Sequence, residues 1–282
     1  MRTTFSESSP VGAYWQQQLS WNQWNLNTGL RFSSSWNGVF RRDEASEGQK
    51  RQVWSPSIGL AYEATPWLTV YASHLQGYQP PSSFDRNGNL LPDQTSKQNE
   101  AGLKFSLLED KLMVTTAAYR TELSNYSYFS RNEGAYVPTP GYISRGAEVE
   151  VQGNFSPDWE VVGSYNDGRT SFVEDTEFHV GLPRHKASLW TRYRISEGTL
   201  KGLTTGVGLY YSGVAQLDDQ NSYRIQAQVQ TDLSLGYSFG NTRFDLVARN
   251  VFNEDLYVTS LQGDPTFISL QQPRSLNLTA SY

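Results

Sequence analysis

Three histidines, His74, His179 and His185, are the only imidazoles in a chain of 282 residues, and cysteine is absent. Thiol nucleophiles, thiolate metal sites and disulfides are therefore excluded, and no histidine has a second ligand at metal-site spacing. Glu148 and Glu150 could be read as the paired carboxylates of a general acid–base site. Spaced by two on an extended chain, however, they are same-face neighbours on one strand. They are expected to be balanced by Arg192, Arg194, Arg243 or Arg249 from other strands. His185 sits in the run PRHKASLW, where a structural role is expected. No Gly-rich phosphate loop, HExxH or CxxC pattern occurs, so the chain is not expected to be an enzyme. What remains is binding by rings, of which there are many: 8 Trp, 17 Tyr and 13 Phe.

Charge and hydropathy narrow what those rings could bind and where. The formal net charge is −5 with no basic stripe, which argues against a nucleic-acid partner. Mean hydropathy is −0.57, and no run approaches the roughly 20 apolar residues of a membrane-spanning helix. A membrane is not excluded thereby. A barrel strand turns only alternate residues to lipid, so its mean hydropathy stays low while its period-2 signal stays high. The opening MRTTFSESSP lacks the apolar segment of a signal peptide.

The elements that must position these side chains are strands. From Gln226 to Phe239, the residues Ala227, Val229, Thr231, Leu233, Leu235, Tyr237 and Phe239 share one face, opposite Gln226, Gln228, Gln230, Asp232, Ser234 and Ser238. Leu276, Leu278, Ala280 and Tyr282 likewise oppose Ser275, Asn277, Thr279 and Ser281. Around Leu189, the set Ala187, Leu189, Thr191, Tyr193 and Ile195 opposes Lys186, Ser188, Arg192 and Arg194. Ala147, Val149, Val151 and Phe155 oppose Glu148, Glu150, Gln152 and Asn154. About thirteen strands of roughly ten residues are expected, longer than the five or six usual in a soluble sandwich.

Connections alternate between short and long. The short ones are Trp21–Gln23, Ala64–Pro66, Leu107–Asp110, Ser156–Asp158, Ser196–Lys201 and Gly240–Asn241. The long ones are Ser33–Arg51, Gly77–Thr95, Asn125–Ile143, Thr170–Leu182, Gly213–Arg224 and Asn253–Gln271. Outer-membrane barrels show this asymmetry, with tight periplasmic turns and long extracellular loops, and a sandwich has no reason to. Trp21, Trp24, Trp67, Trp159, Tyr193, Tyr237, Phe239 and Tyr282 cluster near expected strand ends, as the aromatic girdles of a barrel would. An odd strand count with the last strand ending on the short-turn side reads as part of a larger, even-stranded barrel.

Several stretches carry a family resemblance. SPSIGLAYEATPWLTVYASHLQGYQPP (Ser55–Pro81), LLPDQTSKQNEAGLKFSLLEDKLMVTTAAYR (Leu90–Arg120), ISRGAEVEVQGNFSPDWEVVGSYNDGRT (Ile143–Thr170) and LPRHKASLWTRYRI (Leu182–Ile195) are similar to segments of TonB-dependent siderophore receptors of the ferrichrome, hydroxamate-type group. So are ARNVFNEDLYV and the closing QQPRSLNLTASY, and the order and spacing cover roughly residues 11–282. The family usually ends in Phe, where this chain has Tyr282. Physical reasons accompany the motifs. Gly146 is expected at a close strand approach, NVFNED (Asn250–Asp255) at a polar turn where a strand leaves the membrane, and Pro273 at the outer end of the last strand.

The resemblance implies an all-β fold: an antiparallel transmembrane β-barrel in the bacterial outer membrane, the chain supplying about thirteen of about twenty-two strands, with the plug domain absent. A single barrel domain is expected over residues 1–282. The implied function is uptake of a ferric siderophore, energised through TonB by way of the N-terminal plug. The C-terminal strand is implied to be read by the barrel-insertion machinery. Iron stays inside the siderophore, so no cofactor and no protein metal ligand is expected. Ligand contacts are expected from outer-loop aromatics: Tyr128, Phe129, Tyr136, Tyr257 and Phe267. A passive porin is the alternative, sharing the alternation but lacking the PRHKASLW and RGAEVE elements. A soluble β-sandwich adhesin is a third class, disfavoured by strand length and loop asymmetry.

Overall fold

The computed structural model describes residues 4–41, 49–81, 83–87, 89–130, 134–138, 140–173, 182–217, 223–259 and 268–282. Among them all regular structure is β. The chain runs β1 (Thr4–Trp21), β2 (Trp24–Arg41), β3 (Gln49–Thr65), β4 (Leu68–Gln79), β5 (Gln94–Leu107) and β6 (Leu112–Ser124). Next come β7 (Ser127–Ser130), β8 (Ala135–Pro138), β9 (Gly141–Ser156), β10 (Trp159–Phe172), β11 (His185–Arg194) and β12 (Leu203–Ser212). The remainder is β13 (Ala215–Gln216), β14 (Arg224–Ile225), β15 (Gln228–Phe239), β16 (Thr242–Arg249), β17 (Tyr257–Thr259), β18 (Ile268–Leu270) and β19 (Ser275–Ser281). Thirteen of these form one sheet in the order β1-β2-β3-β4-β5-β6-β9-β10-β11-β12-β15-β16-β19. The all-β class and the strand number expected from the period-2 pattern are both found.

The six short connections fall where the sequence places them. Two of the four two-residue connections among them are Asn22-Gln23, with Trp21 opposite Trp24, and Gly240-Asn241, with Phe239 opposite Thr242. Asn22 (φ 52°) and Gly240 (φ 58°) supply the left-handed backbone on which these two hairpins turn. The long connections differ from expectation in two ways. β1, β2 and β3 extend to 18, 18 and 17 residues, so the Ser33–Arg51 connection is largely strand. Three other long connections contain two-stranded ribbons: β7 with β8, β13 with β14, and β17 with β18. Backbone groups leaving a sheet still need partners, and a short ribbon provides them within the loop itself.

By Cα packing the chain forms two units, one comprising Met1–Glu63, Tyr71–Ala101 and Arg120–Ile143, the other Ala64–Val70, Gly102–Tyr119 and Ser144–Tyr282. In the first, β1 pairs with β2 and β2 with β3 in continuous antiparallel register. Val11, Trp54, Ile58 and Leu60 are exposed there. Polar side chains bond across its strands: Tyr71 to Glu100 at 2.7 Å and His74 Nδ1 with Asn99 Oδ1 at 2.8 Å.

In the second unit β10, β11, β12, β15, β16 and β19 form an antiparallel meander. The exposure of its faces is inverted relative to a water-soluble sheet. Val229, Leu233 and Leu235 are 49%, 43% and 45% exposed, whereas Asp232, between them on the other face, is 7% exposed. Leu189, Val207, Leu209, Phe244, Leu276 and Leu278 are exposed with them. Leaving this apolar area in water would forfeit about 25 cal/mol per Å², so the face requires an apolar solvent. Only eight hydrophobic side chains are buried among the described residues. Five of them, Leu91, Ala215, Leu217, Ile225 and Leu256, lie in long connections rather than in sheet strands or at turns. In the second unit the buried Ala215, Leu217, Ile225 and Leu256 therefore lie at the loop end.

Two glycines mark close approaches. A Cβ on Gly146 would collide with the carbonyl oxygen of Asp167 and stand 2.8 Å from Gly168 Cα, so β9 and β10 meet there as the sequence predicted. Gly153 has φ +145°, and a Cβ would strike the Lys111 carbonyl, which accepts the Asn154 N–H at 2.7 Å.

Candidate functional site

Where β16 ends, Asn250 takes a left-handed conformation (φ 50°), which asparagine tolerates better than most residues. Its backbone N–H donates to Asp232 Oδ1 at 2.9 Å. Its side-chain Nδ2 donates to the Glu254 carbonyl at 2.8 Å, and its Oδ1 accepts the Glu254 N–H at 3.0 Å. Asn250 is 2% exposed, so each of these bonds replaces water that cannot reach it. NVFNED thus makes the polar turn expected of it. Asn253 Oδ1 accepts the Arg274 N–H at 3.1 Å, tying the two ends of the connection together.

Beyond this turn the chain passes back over β15. Leu256 is buried, and its carbonyl accepts the Gln271 N–H at 2.8 Å. Gln228 grips Tyr257 by the backbone: its Oε1 accepts the Tyr257 N–H at 2.5 Å, and its Nε2 donates to the Tyr257 carbonyl at 3.1 Å. Tyr257 then opens the β17–β18 ribbon opposite Leu270. The side chain of a sheet residue thereby fixes the root of a long loop.

Under this root lies a cavity of about 680 Å³, lined by Trp190, Tyr210, Gln230, Asp232, Arg249 and Tyr257 among others. The volume lies in the range of small-molecule sites. Register explains the opening. Trp190, Gly208 and Asp232 occupy one rung of β11, β12 and β15. A Cβ on Gly208 would come within 2.5 Å of the Trp190 ring, so the missing side chain is the space the indole occupies. Asp232 accepts Gln230 Nε2 at 2.9 Å besides the Asn250 N–H. Tyr210 stands within electrostatic reach of both Asp232 and Arg249.

Of the expected site residues, Tyr257 is at this cavity and 41% exposed. Tyr128 and Phe129 lie on β7 and Tyr136 on β8, with Phe129 opposite Tyr136 and Tyr128 opposite Val137. The backbone ladder thus brings these three together. Tyr136 is exposed, while the side chains of Tyr128 and Phe129 lie outside the described residues. Phe267 and His179 lie outside them altogether. At the foot of the β7–β8 ribbon Tyr126 and Tyr142 meet edge to face at 5.6 Å. In the same unit a cavity of about 580 Å³ is lined by Arg31, Ser35, Tyr78 and neighbours, with Tyr78 and Ser35 hydroxyls 3.4 Å apart.

Trp190, Tyr210, Gln228, Asp232 and Arg249 were not singled out as ligand-binding residues from sequence. A signal existed. Trp190 breaks the polar parity of Lys186, Ser188, Arg192 and Arg194, and Gly206 and Gly208 leave room on the facing strand.

The short-turn end is held by ion pairs. Arg192 pairs with Glu160, Arg194 with Asp158 at 3.2 Å, and Arg243 with Asp245 at 2.7 Å. Arg192, Arg194 and Arg243, expected to balance Glu148 and Glu150, thus each meet another carboxylate. Each of the three meets a carboxylate on its own strand, the next strand or the adjoining turn, closer than a strand farther round. Ser196 hydrogen-bonds the Asp158 carboxylate, which with the bond and charge of Arg194 holds its pKa below the ordinary 3.8. His185 Nδ1 meets the Tyr165 hydroxyl at 3.0 Å. Among the described residues no cluster of three metal-ligating side chains occurs.

Comparison with known proteins gives a consistent result. The family described as TonB dependent receptor-like, beta-barrel, matches residues 2–253. The chain is 26% identical over 270 residues to the ferrichrome outer membrane transporter/phage receptor of Escherichia coli (strain K12), covering 90% of this chain and 36% of that protein. It is 29% identical over 238 residues to the ferrioxamine B receptor of Salmonella typhimurium (strain SL1344), covering 82% and 34%. The chain thus spans about a third of the length of these relatives. Among solved structures, the siderophore receptor PiuA from Acinetobacter baumannii superposes with a TM-score of 0.81 at 18% identity, over 98% of this chain and 43% of that one.

Proposed function

The chain belongs to the TonB-dependent receptor-like β-barrel family, and on that premise we propose that it is the ligand-facing wall of an outer-membrane receptor that imports a ferric siderophore. The observation that carries this reading is the inverted sheet. One face of β11 to β19 presents exposed aliphatic side chains to lipid, and the other opens an aromatic cavity beneath a long loop. A receptor needs both: a wall that sits in hydrocarbon with every backbone group paired, and rings at the outer mouth that give large contact area with few rotors to freeze. Residues 1–282 act as one barrel domain. Tyr128, Phe129, Tyr136, Tyr257 and Phe267 contact the ligand from the outer loops. The iron arrives and leaves inside its chelator, so the protein contributes no metal ligand, no cofactor and no enzymatic step. TonB supplies the energy through a plug domain, and the last strand, Ser275–Ser281 with Tyr282 after it, is read by the insertion machinery.

A passive channel is not favoured, because the family match and the two siderophore-receptor relatives point away from it. Uptake of radioactive iron by cells carrying the protein distinguishes the two. The receptor reading expects saturable binding of an iron–siderophore complex, with accumulation that stops when TonB is deleted. Accumulation that is unsaturable and indifferent to TonB would establish the channel instead.

A further inference from the structure

The cavity under the Tyr257 loop root holds a cation that makes no ion pair with any described carboxylate. Arg249 is exposed and lines the cavity. Among the described residues no carboxylate lies within ion-pair distance of it, whereas Arg192, Arg194 and Arg243 all have carboxylate partners. Its register partner on β19, Ser275, has a buried hydroxyl without a hydrogen-bond partner and does not hold it either. Asp232 is the near anion, but it is 7% exposed, and its Oδ1 is occupied by the Asn250 N–H and the Gln230 amide. Both groups line the cavity, but the carboxylate is buried and bonded to Asn250 and Gln230, while the guanidinium is exposed and carries no ion pair among the described residues.

Around Arg249 stand Trp190, Tyr210 and Tyr257, rings that offer flat faces and, for the tyrosines, hydroxyls. A guanidinium is a planar fork of donors suited to paired oxygens, and an indole stacks on planar groups. We infer that this cavity is a subsite for an anionic, oxygen-rich planar group, with Arg249 reading the charge and Trp190 and Tyr210 reading the plane. Resting on the receptor reading above, it makes the receptor prefer chelators whose iron-bound oxygens leave the complex negative. A catecholate arm satisfies both demands, because each of its paired oxygens keeps a negative charge and its ring is flat. An uncharged hydroxamate complex satisfies neither as well.

The test compares two ferric complexes on outer membranes carrying the protein: a strongly anionic tris-catecholate and an uncharged tris-hydroxamate. The unaltered protein should bind the anionic complex more tightly, and raising salt should narrow the gap. Arg249→Gln should weaken the anionic complex by about tenfold or more and the uncharged one by less than about threefold, with Arg249→Lys between. Trp190 fluorescence should be quenched on binding, and Trp190→Phe should reduce that signal. Equal affinity for the two complexes in the unaltered protein, at low and high salt, overturns the subsite while leaving the receptor reading intact. Equal losses for both complexes in Arg249→Gln do the same. Failure of the unaltered protein to bind either complex overturns both readings. The salt series needs no variant, so a substitution that fails to insert does not rescue the proposal.

Discussion

The two ends of the strands from β10 to β19 are built on opposite principles. At the short-turn end two to eight residues reverse the chain, and the closure comes from backbone geometry and surface ion pairs, as at Gly240 and Arg194–Asp158. At the long-loop end closure comes from side chains bonding to backbone: the buried Asn250 to Glu254, and the half-buried Gln228 to Tyr257. That end also holds the buried Ala215, Leu217, Ile225 and Leu256. A loop that must present a cavity cannot rely on being short. It needs its own small core and dedicated anchors. Exposed surface pairs contribute about 0–1 kcal/mol each, while a buried donor or acceptor left alone costs about 1–3 kcal/mol. Substitutions should therefore do more harm at the loop end.

That comparison presupposes a wall in lipid, and the largest expected effect tests the wall. Leu233 lies midway along β15 on the exposed apolar face. Leu233→Arg should cost roughly 2–4 kcal/mol of folding into a bilayer if it sits at the midplane, whereas Ser234→Arg on the opposite face should not. Heat-modifiable gel mobility after refolding into lipid reads both. Equal behaviour of the two variants would mean that the faces are assigned the wrong way round.

Asn250→Ala comes next. It removes both bonds to Glu254 and places alanine at φ 50°. A loss of about 1–3 kcal/mol follows from the unsatisfied buried groups, with early protease cleavage in the connection after β16. Asn241→Ala, in the exposed Gly240-Asn241 turn, should cost less than about 0.5 kcal/mol. If the two substitutions cost the same, the two ends are not built differently.

Strands and rims were legible because lipid on one side and water on the other impose period 2 and unequal connections, and both leave marks in residue type. Positions such as Val229, Leu233 and Asp232 declared their faces in advance. The ribbons β13–β14 and β17–β18 were not legible, since pairs of two or three residues are too short to show any period. Partners of Arg192 and Arg243 could not be chosen from sequence, because several carboxylates share their parity and only register selects among them. Trp190 is obscure in sequence for a simpler reason: on a strand of alternating polarity one indole among polar neighbours carries no pattern, and only the pairing with Gly208 gives the ring its space.

Ligand affinity should follow the same division between the ends. Tyr128→Ala, Phe129→Ala and Phe267→Ala remove rings from long connections. At least one should weaken binding of an iron–siderophore to cells by tenfold, about 1.4 kcal/mol. Asn241→Ala, at the other end, should leave affinity within about twofold. Unchanged affinity in all three ring variants, with normal insertion, would remove the loop aromatics from the site.

The smallest effect expected is acid sensitivity at the short-turn end. Asp158 has its carboxyl held below 3.8 by the Ser196 hydrogen bond and by Arg194. A depressed folded value means that the unfolded chain binds the proton first as pH falls. Whatever stability the pair contributes is therefore complete above the unfolded value, about one pH unit clear of it. It declines as pH falls through 3.8 and is gone once the folded carboxyl is protonated. Because the pair is open to solvent, the contribution should be small and weakened by salt. The comparison is the unfolding midpoint of the unaltered protein against Asp158→Asn, taken in lipid from neutral to acidic pH. Their difference should be constant near neutrality and should close on acidification. Asn250→Ala offers the contrast, since the bonds between Asn250 and Glu254 use an amide and backbone groups that do not titrate. A difference for Asp158→Asn that stays flat down to the lowest pH would show that Arg194 and Ser196 hold the turn by shape alone.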